Sequence, residues 1–495
     1  MFNTMTRNAR QLARDVGREA HDLLERGLDR QLRLAVTGLS GAGKTAFLVS
    51  LIEQLRHAGL GARLELLPAA RDGRLLGAER VSQPDLSIPR FPLEAGLRSL
   101  SGQHSPHGPE WPTPTRSISE LRLKIGFRPT SRAARMLDSQ RATLTLDLID
   151  YPGEWLLDLP MLEQDFSGWS SECETQLADG RGDWAHDWMA AIEGLTPDSE
   201  VDEDRLAEIA SLYTDYLHAA RRKGGFVDLT PGRFLLPGEL DEAPVLQFFP
   251  LPGLGDWTPD ALAALPEASL YRTLARRFDH YRRRVVRPFY HDHFRRFDRQ
   301  IVLIDVLGAL NAGPAPFRDL SRALDKLFDS FAYGRRHLLA RLMDRRIDRL
   351  AIAATKADHV TPEQHGAMRD LLEQLLADPL KRLRYRDVPL KAFTIAAIRA
   401  SEAREVVENG QRHPALAGQL LAEHEGAGDS DTQGAGRESV LLFPGEVPSR
   451  LPDPNFWAES RFDFPHFAPP KIDGNAPPHI RMDAVLDWLL GDHLK

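Results

Sequence analysis

Residues 38–45 read Gly-Leu-Ser-Gly-Ala-Gly-Lys-Thr, a full G-x-x-x-x-G-K-[ST] pattern. Glycines at this spacing let backbone N–H groups turn inward around phosphate oxygens, and a helix N-terminus adds partial positive charge. The groups so placed belong to Gly38, Ser40, Gly41, Ala42, Gly43, Lys44, Thr45 and Ala46. The Lys44 ammonium is expected to reach β- and γ-phosphates and the Thr45 hydroxyl to ligate Mg²⁺. The pattern carries this meaning only between a strand and a helix. Leu32, Leu34 and Val36 form a strand-like run before it. Phe47, Leu48, Leu51, Ile52 and Leu55 recur at helical spacing after it, towards Gly59. The reading is a nucleotide-binding P-loop.

Such a site needs a second strand that delivers an acid to the metal. ATLTLDLIDYPGEW, Ala142 to Trp155, alternates strand formers and ends in Asp150-Tyr-Pro-Gly153, a D-x-x-G pattern. Asp150 is expected to hold Mg²⁺ through a water, and the Gly153 amide to sense a γ-phosphate. Asp147, three residues earlier, is the rival acid, and a plain turn is the alternative for the whole motif.

DRLAIAATKADHV, Asp348 to Val360, is another apolar strand, followed by Thr355-Lys356-Ala357-Asp358. This resembles the guanine-reading N-K-x-D signature. An aspartate can accept from both N1–H and the exocyclic amine of guanine, a donor pair adenine lacks, and the Lys356 stem can cover the base. Thr355 keeps a hydroxyl but loses the amide of Asn, which puts some ties to the P-loop in doubt. Adenine or mixed specificity, or a structural Asp358, are the alternatives. In LKAFTIAAIRAS, Leu390 to Ser401, the strand end at Ala397 and Ile398 stands where a backbone amide can meet guanine O6.

The stretches VTGLSGAGKT, LIDYPGEWLLDLPML, PGRFLLPGEL, AATKADHV and LFPGEVP together resemble the YcjX family of bacterial P-loop GTPase-like proteins across most of the chain. The resemblance implies a TRAFAC-like GTPase core, GTP or GDP with Mg²⁺, and a connection to bacterial envelope stress. It also implies an integral membrane protein as partner, since one is often encoded beside the family's members.

The source of the chemistry is less legible. In small Ras-like GTPases a Gln after the D-x-x-G glycine orients the attacking water. Here that residue is Glu154, which can accept from water but brings negative charge near the γ-phosphate. The alternative is a surface carboxylate paired with a nearby base. Ahead of a strand at about 119–127, Thr113, Thr115 and Ser117 are candidate Mg²⁺ or γ-phosphate ligands, Thr115 foremost, with Arg116 as a charge-stabilising group. The alternative is an ordinary loop entering a strand. Intrinsic hydrolysis is expected to be slow.

The elements that must position these residues follow from the motif spacing. The fold class expected is α/β, a P-loop NTPase with a mostly parallel sheet and a large helical insertion. The core is 30–154 and 299–495, continuing as strand 300–307, a long helix at about 315–346, strand 349–355, a helix and strand 391–398. Residues 60–118, rich in Pro, Gly and His, read as an extended switch or lid. Residues 155–298 are the insertion, with PGRFLLPGELDEAPVLQFFPLPG as an irregular hairpin or belt within it. His424 to Ser439 reads as a flexible loop, VLLFPGEVP as an added strand, and MDAVLDWLLGDHL as a helix packed on the core. An amphipathic helix at 1–29 is expected to pack rather than bind membrane.

Composition sets the frame. With 495 residues, 42% apolar and 27% charged, the chain is too long for one core. A net charge of -8 argues against wholesale nucleic-acid binding. The single cysteine, Cys173, excludes an internal disulfide and reads as a small buried residue. The N-terminus has no apolar core of a signal peptide, and no run of about 18 apolar residues occurs. The cytoplasm is the expected location, with peripheral attachment at the inner membrane left open. Leu270 to Gln300 mixes arginines with aromatics. Leu270, Leu274, Phe278, Tyr281 and Val285 share a helical face, so a packed amphipathic helix is favoured over a basic docking face. His291 and His293, two apart, do not suit a metal site. The function expected is a slow, nucleotide-dependent GTPase switch. Its rivals are a nucleotide-stabilised scaffold with negligible hydrolysis and a P-loop ATPase.

Overall fold

The computed structural model describes residues 30–495 apart from 40, 104, 106–107, 131–140, 201, 293–295, 331–346, 385–388, 409, 422–438, 454 and 460–461. The expected helix at 1–29, Ser40, His293, the second half of the helix at 315–346 and nearly all of the 424–439 loop therefore lie outside the described residues.

Seven strands form the central sheet in the order β2-β3-β4-β1-β5-β6-β7. They are β1 Arg30–Gly38, β2 Leu75–Val81, β3 Ser119–Phe127, β4 Ala142–Asp150, β5 Arg299–Ile304, β6 Arg349–Ala354 and β7 Leu390–Thr394. Strands β4, β1, β5, β6 and β7 are mutually parallel, while β3 runs antiparallel to β4 and β2 to β3. Flanking helices include α1 Lys44–Arg56, α2 Leu93–Ser101, α3 Phe166–Gln176, α4 Glu203–Arg222, α5 Leu270–Tyr281, α6 Pro314–Ser330, α7 His365–Leu375 and α8 Met482–Leu490.

Successive side chains of a strand point to opposite faces, and here that alternation divides the apolar interior in two. Leu34 and Val36 of β1, Ile301 and Leu303 of β5, and Ala351 and Ala353 of β6 face a core shared with α1 and α8. Ala35, Val302, Ile304, Leu350 and Ile352 face the other, shared with α6, α7 and the insertion. Strands buried on both faces need near-continuous apolar runs, which is why these segments read as they do. The α/β fold, the mostly parallel sheet and the P-loop connection are as the sequence leads one to expect.

Several boundaries differ. β5 stops at Ile304 instead of continuing to 307, because the Asp305 carboxylate accepts from the Gly308 amide at 2.9 Å and caps a short helix, Val306–Ala312. The stretch 60–118 supplies edge strand β2 and helix α2, which packs on α1 so closely that a Cβ at Gly96 would stand 2.7 Å from Val49 Cγ2. A second, antiparallel sheet joins β8 Ser401–Glu408, β9 Gln411–Gln419 and β10 Ser439–Leu442 in the order β10-β9-β8. Only its last strand is anticipated in the sequence reading. The overlooked signal is the Asn-Gly pair at 409–410, a two-residue hairpin turn by composition.

Between β4 and β5 the chain is mainly helical. Its Trp169, Tyr213, Phe248 and Phe278 pack into the same apolar cluster as Val302 and Ile304 of the sheet, so its interior is continuous with that of the core. Leu270, Leu274, Phe278, Tyr281 and Val285 are buried as one face. Arginines on the other side of that helix, such as Arg277, Arg282 and Arg283, pair with Glu203 and Asp279. PGRFLLPGEL is a belt of short helical turns, including Gly232–Leu235 and Gly238–Leu240. Cys173 is buried, and burial pushes its thiol up to about 12, which leaves it inert at neutral pH. No helix among the described residues is long and apolar enough to cross a membrane.

Candidate nucleotide site

The P-loop emerges where β1 ends in the middle of the sheet, and Gly43, in the left-handed region at φ 74°, precedes the first turn of α1. Only glycine adopts that conformation without strain, so α1 can start immediately behind the loop with its amides aimed across it. Above it lies a cavity of about 290 Å³, lined along one wall by Gly38, Gly41, Ala42, Gly43, Lys44, Thr45 and Ala46.

One end of the cavity gathers oxygens and charges. Thr115 Oγ1 donates to Asp150 Oδ2 at 2.5 Å and lies 3.4 Å from Thr45 Oγ1. The Lys44 ammonium stands 3.1 Å from Asp150 Oδ1 and donates to the Tyr151 carbonyl. Two hydroxyls and a carboxylate therefore converge from α1, the approach to β3 and the end of β4. This all-oxygen set suits a hard cation such as Mg²⁺. Gly153 approaches the P-loop so closely that a Cβ there would stand 2.3 Å from the Gly38 carbonyl oxygen. Glu154, the next residue, is buried, lines the cavity and lies 3.3 Å from Arg221 Nη2. Asp147 is elsewhere, held by Arg122 and Gln31 under the sheet, so Asp150 is the acid the fold presents. Arg116 is exposed and does not line the cavity; Arg221, near the end of α4, is the guanidinium there instead.

The other end is formed by loops following β6 and β7. Thr355, Lys356, Asp358, Ala397 and Ile398 all line it. Asp358 Oδ2 accepts from the Ala400 amide at 2.7 Å, and Ser50 Oγ on α1 donates to the Ala397 carbonyl at 2.6 Å, which fixes the two loops against each other and against the P-loop helix. Lys356 sits at φ 62° and pairs with Asp305, whose carboxylate lies so near the P-loop that a Cβ on Gly41 would be 3.6 Å away. Burial alone would raise the Asp305 carboxyl, but the Lys356 ammonium and the Gly308 amide outweigh it and hold the group below its usual value. Thr355 Oγ1 donates to the Ile304 carbonyl at 3.3 Å. His359, His466 and Phe467 complete this end. Burial lowers the His359 pKa, and its neutral ring meets Phe467 edge-on at 5.4 Å between centroids.

Several contributors escaped the sequence reading. Asp305 carried the same signal as Asp150, an acid closing an apolar strand. Arg221, His466 and Phe467 carried none, because they reach the cavity from distant segments with no fixed spacing to the motifs. Trp111, on the approach to β3, also lines the cavity and donates its indole N–H to the Phe467 carbonyl at 2.9 Å.

A glycine-rich loop between strand and helix, with an acid closing the neighbouring parallel strand, defines the P-loop NTPase class. Within it the chain belongs to the YcjX-like family, DUF463, which matches residues 32–494. It is similar to the Ras-like GTPase YcjX of Escherichia coli (strain K12), with 45% identity over 478 residues, 96% of this chain and 99% of the relative. It is also similar to the Ras-like GTPase YcjX of Shewanella oneidensis, strain MR-1, with 39% identity over 495 residues, 97% and 98% of the two chains.

Proposed function

We propose that the chain binds GTP and GDP with Mg²⁺ and hydrolyses GTP slowly, as a nucleotide-dependent switch. The observation that carries this reading is that one cavity is lined at one end by Thr45 and Thr115, whose hydroxyls meet beside Asp150, and at the other by Asp358. The similarity to two proteins named Ras-like GTPase supports it.

In this reading the amides of Gly38, Ser40, Gly41, Ala42, Gly43 and Ala46 cradle the phosphates, and Lys44 leaves Asp150 to reach the β- and γ-phosphates. Thr45 and Thr115 would ligate Mg²⁺, and Asp150 would hold it through a water. When bound, Mg²⁺ would neutralise charge on the β- and γ-oxygens. The Gly153 amide meets the γ-phosphate. Asp358 accepts from the guanine edge, the stem of Lys356 covers the base, Thr355 supports that loop, and an amide of Ala397 or Ile398 meets O6. Residues 30–154 and 299–495 act as the nucleotide-binding core and 155–298 as the insertion that reads its state. The cytoplasmic location rests on the sequence reading, and the envelope-stress role and a membrane-protein partner rest on the family resemblance.

Equilibrium binding of GDP, GTP, ADP and ATP with Mg²⁺ tests the site. Lys44→Ala should abolish binding and Asp358→Asn should relax the preference for guanine. Equal affinity of the parent chain for guanine and adenine nucleotides would sink the guanine reading. The ion pair that engages Glu154 favours one rival, a scaffold that binds nucleotide without turnover; that rival predicts a hydrolysis rate no higher than that of Lys44→Ala.

A further inference from the structure

Thr115, on the approach to β3, and Glu154, in the turn after β4, line the nucleotide cavity. Three residues after the first and one after the second, Ile118 and Trp155 line a different cavity, of about 180 Å³. The same two loops therefore form walls of both. The remaining walls of the second cavity come from the insertion, chiefly Arg233 and Leu240 of the belt and Val285 and Phe289 beyond α5. None of these residues belongs to the P-loop, D-x-x-G or T-K-x-D motifs.

The belt touches both loops at one point. At Gly238, with φ 61°, a Cβ would stand 3.8 Å from Trp155 Cζ2 and 4.0 Å from Ser117 Cβ. Phe289 meets the rings on either side of Gly153, Tyr151 at 5.7 Å and Trp155 at 5.6 Å between centroids. Beyond α5 the helix passes through a π-helical turn, Arg282–Val286, whose Arg284 and Val285 both line the cavity; such turns recur at functional sites. The charges set the sign of an occupant. Arg233 is 8% exposed and its guanidinium lies 3.3 Å over the Trp155 ring, whereas its acid partner Glu239, 3.3 Å away, is 67% exposed. An ion pair so open on its acid side is weak and readily exchanged, so the charge fixed in the wall is the cation. Arg284 and Asp292, of opposite sign, stand exposed at the rim.

We infer that the second cavity is an effector site for a small amphiphilic carboxylate. The carboxylate replaces Glu239 on the Arg233 guanidinium, which suits planar, two-oxygen recognition. A single ring or branched alkyl group packs on Trp155, Phe289 and Val285. The cavity is smaller than the roughly 300 Å³ at which pockets for drug-sized ligands begin, so it admits one such group. A free acid and the C-terminal residue of a peptide offer this same chemistry. Binding itself is independent of the guanine reading; its consequence rests on the nucleotide reading above. A ligand held by Ile118 and Trp155 favours one arrangement of the two loops, and a nucleotide that draws on Thr115 and Gly153 selects among the same arrangements. Occupancy of either cavity therefore biases the other, by the same factor in both directions.

The test titrates the full chain with phenylpropionate, its uncharged amide and phenylethylamine, read by calorimetry and tryptophan fluorescence. The acid should bind one-to-one and at least about tenfold more tightly than the amide or the amine, the scale of one charge-assisted hydrogen bond. Equal binding of all three, or none, overturns the assignment without any variant. Arg233→Gln should weaken the acid about tenfold and leave the amide unchanged, a pattern that a folding defect does not give. Trp155→Phe should still bind the acid by calorimetry but lose the fluorescence change; a change that persists places the ligand elsewhere and overturns the assignment. A short peptide ending in phenylalanine, with its C-terminus free or amidated, separates the sources: binding of the free form alone supports a chain terminus as occupant, and exclusion of both supports a free acid. Saturating acid should alter the affinity for a non-hydrolysable GTP analogue at least about fivefold. A smaller change, with the acid bound, overturns the effector role and leaves the GTPase reading standing. If the parent binds no guanine nucleotide, the GTPase reading falls and the acid titrations still decide the site.

Discussion

At the scale of single residues, burial decides what the carboxylates around the site do. Asp158 lies one turn beyond the D-x-x-G segment, is 2% exposed, and accepts from Tyr281 Oη at 2.5 Å and the Gly232 amide at 2.7 Å. Burial outweighs these donors and raises its pKa to about 6, whereas an aspartate in an unfolded chain ionises near ~3.9. Between these values the folded state keeps a proton that the unfolded chain has released, so stability from this group is present at acid pH and lost as pH rises through about 6. Two units correspond to about 3 kcal/mol. Asp158→Asn should remove that dependence, so the variant gains stability relative to the parent between pH 4 and 7 in denaturant titrations. A stability difference that stays constant across the range would show that Asp158 is ionised throughout.

At the scale of elements, the ends of β5 and β6 are linked by charge beside Thr355. Asp305 at the end of β5 holds Lys356 from the end of β6 and borders Gly41, which ties the loop after β6 to the P-loop. Asp305→Asn retains a cap for Gly308 and removes the charge, so GDP binding should weaken about tenfold or more, the scale of one charge-assisted hydrogen bond. Because Asp305 acts through Lys356, adding Lys356→Ala should cost less than the sum of the two single changes, measured as a double-mutant cycle. Additive losses would separate the two residues. The motifs on β1, β4 and β6 were legible because each is local, a strand end and a turn within a dozen residues. The strand end after β5 is equally local but carries no common motif, so its sequence does not single out Asp305. Arg221, His466 and Phe467 could not be read at all, since only tertiary packing brings them to the cavity. Likewise β8 and β9 are polar, exposed strands whose pattern gives little sign of burial.

At the scale of the whole molecule, the insertion is bound to the core by buried charge as well as apolar contact. Arg181 of the insertion pairs with Asp319 of α6, which also accepts from the Val227 and Asp228 amides at 2.7 and 2.8 Å. Lys326 of α6 lies 2.8 Å from Asp228 Oδ2 in return. Removing one partner of a buried pair strands the other charge, at a cost of about 3–5 kcal/mol. Asp319→Ala should therefore be among the more destabilising substitutions outside the nucleotide site, seen as a lowered denaturation midpoint. A change below about 1 kcal/mol, the scale of an exposed pair, would mean that water reaches this cluster. That the insertion shares its interior with the sheet was not apparent from composition, which marks where helices fall and not what they pack against.

The position of the insertion also bears on how the chain folds. β1 and β5 are neighbours, and the Arg33 amide reaches the Asp298 carboxylate across 265 residues of sequence. Closing an unstructured loop of that length costs about 5 kcal/mol in chain entropy before any contact repays it. Yet the chain returns from the insertion beside the point where it left the core, with the Phe297 ring stacked on that of Tyr151 at 5.6 Å between centroids. Once the helices between them have assembled, the part of that closure between the ends of β4 and β5 shrinks to the joining of two adjacent strand ends. The insertion is thus expected to act as a folding staple, maturing before the central sheet closes, so that lesions within it slow refolding of the nucleotide-binding half as well as weakening the finished protein.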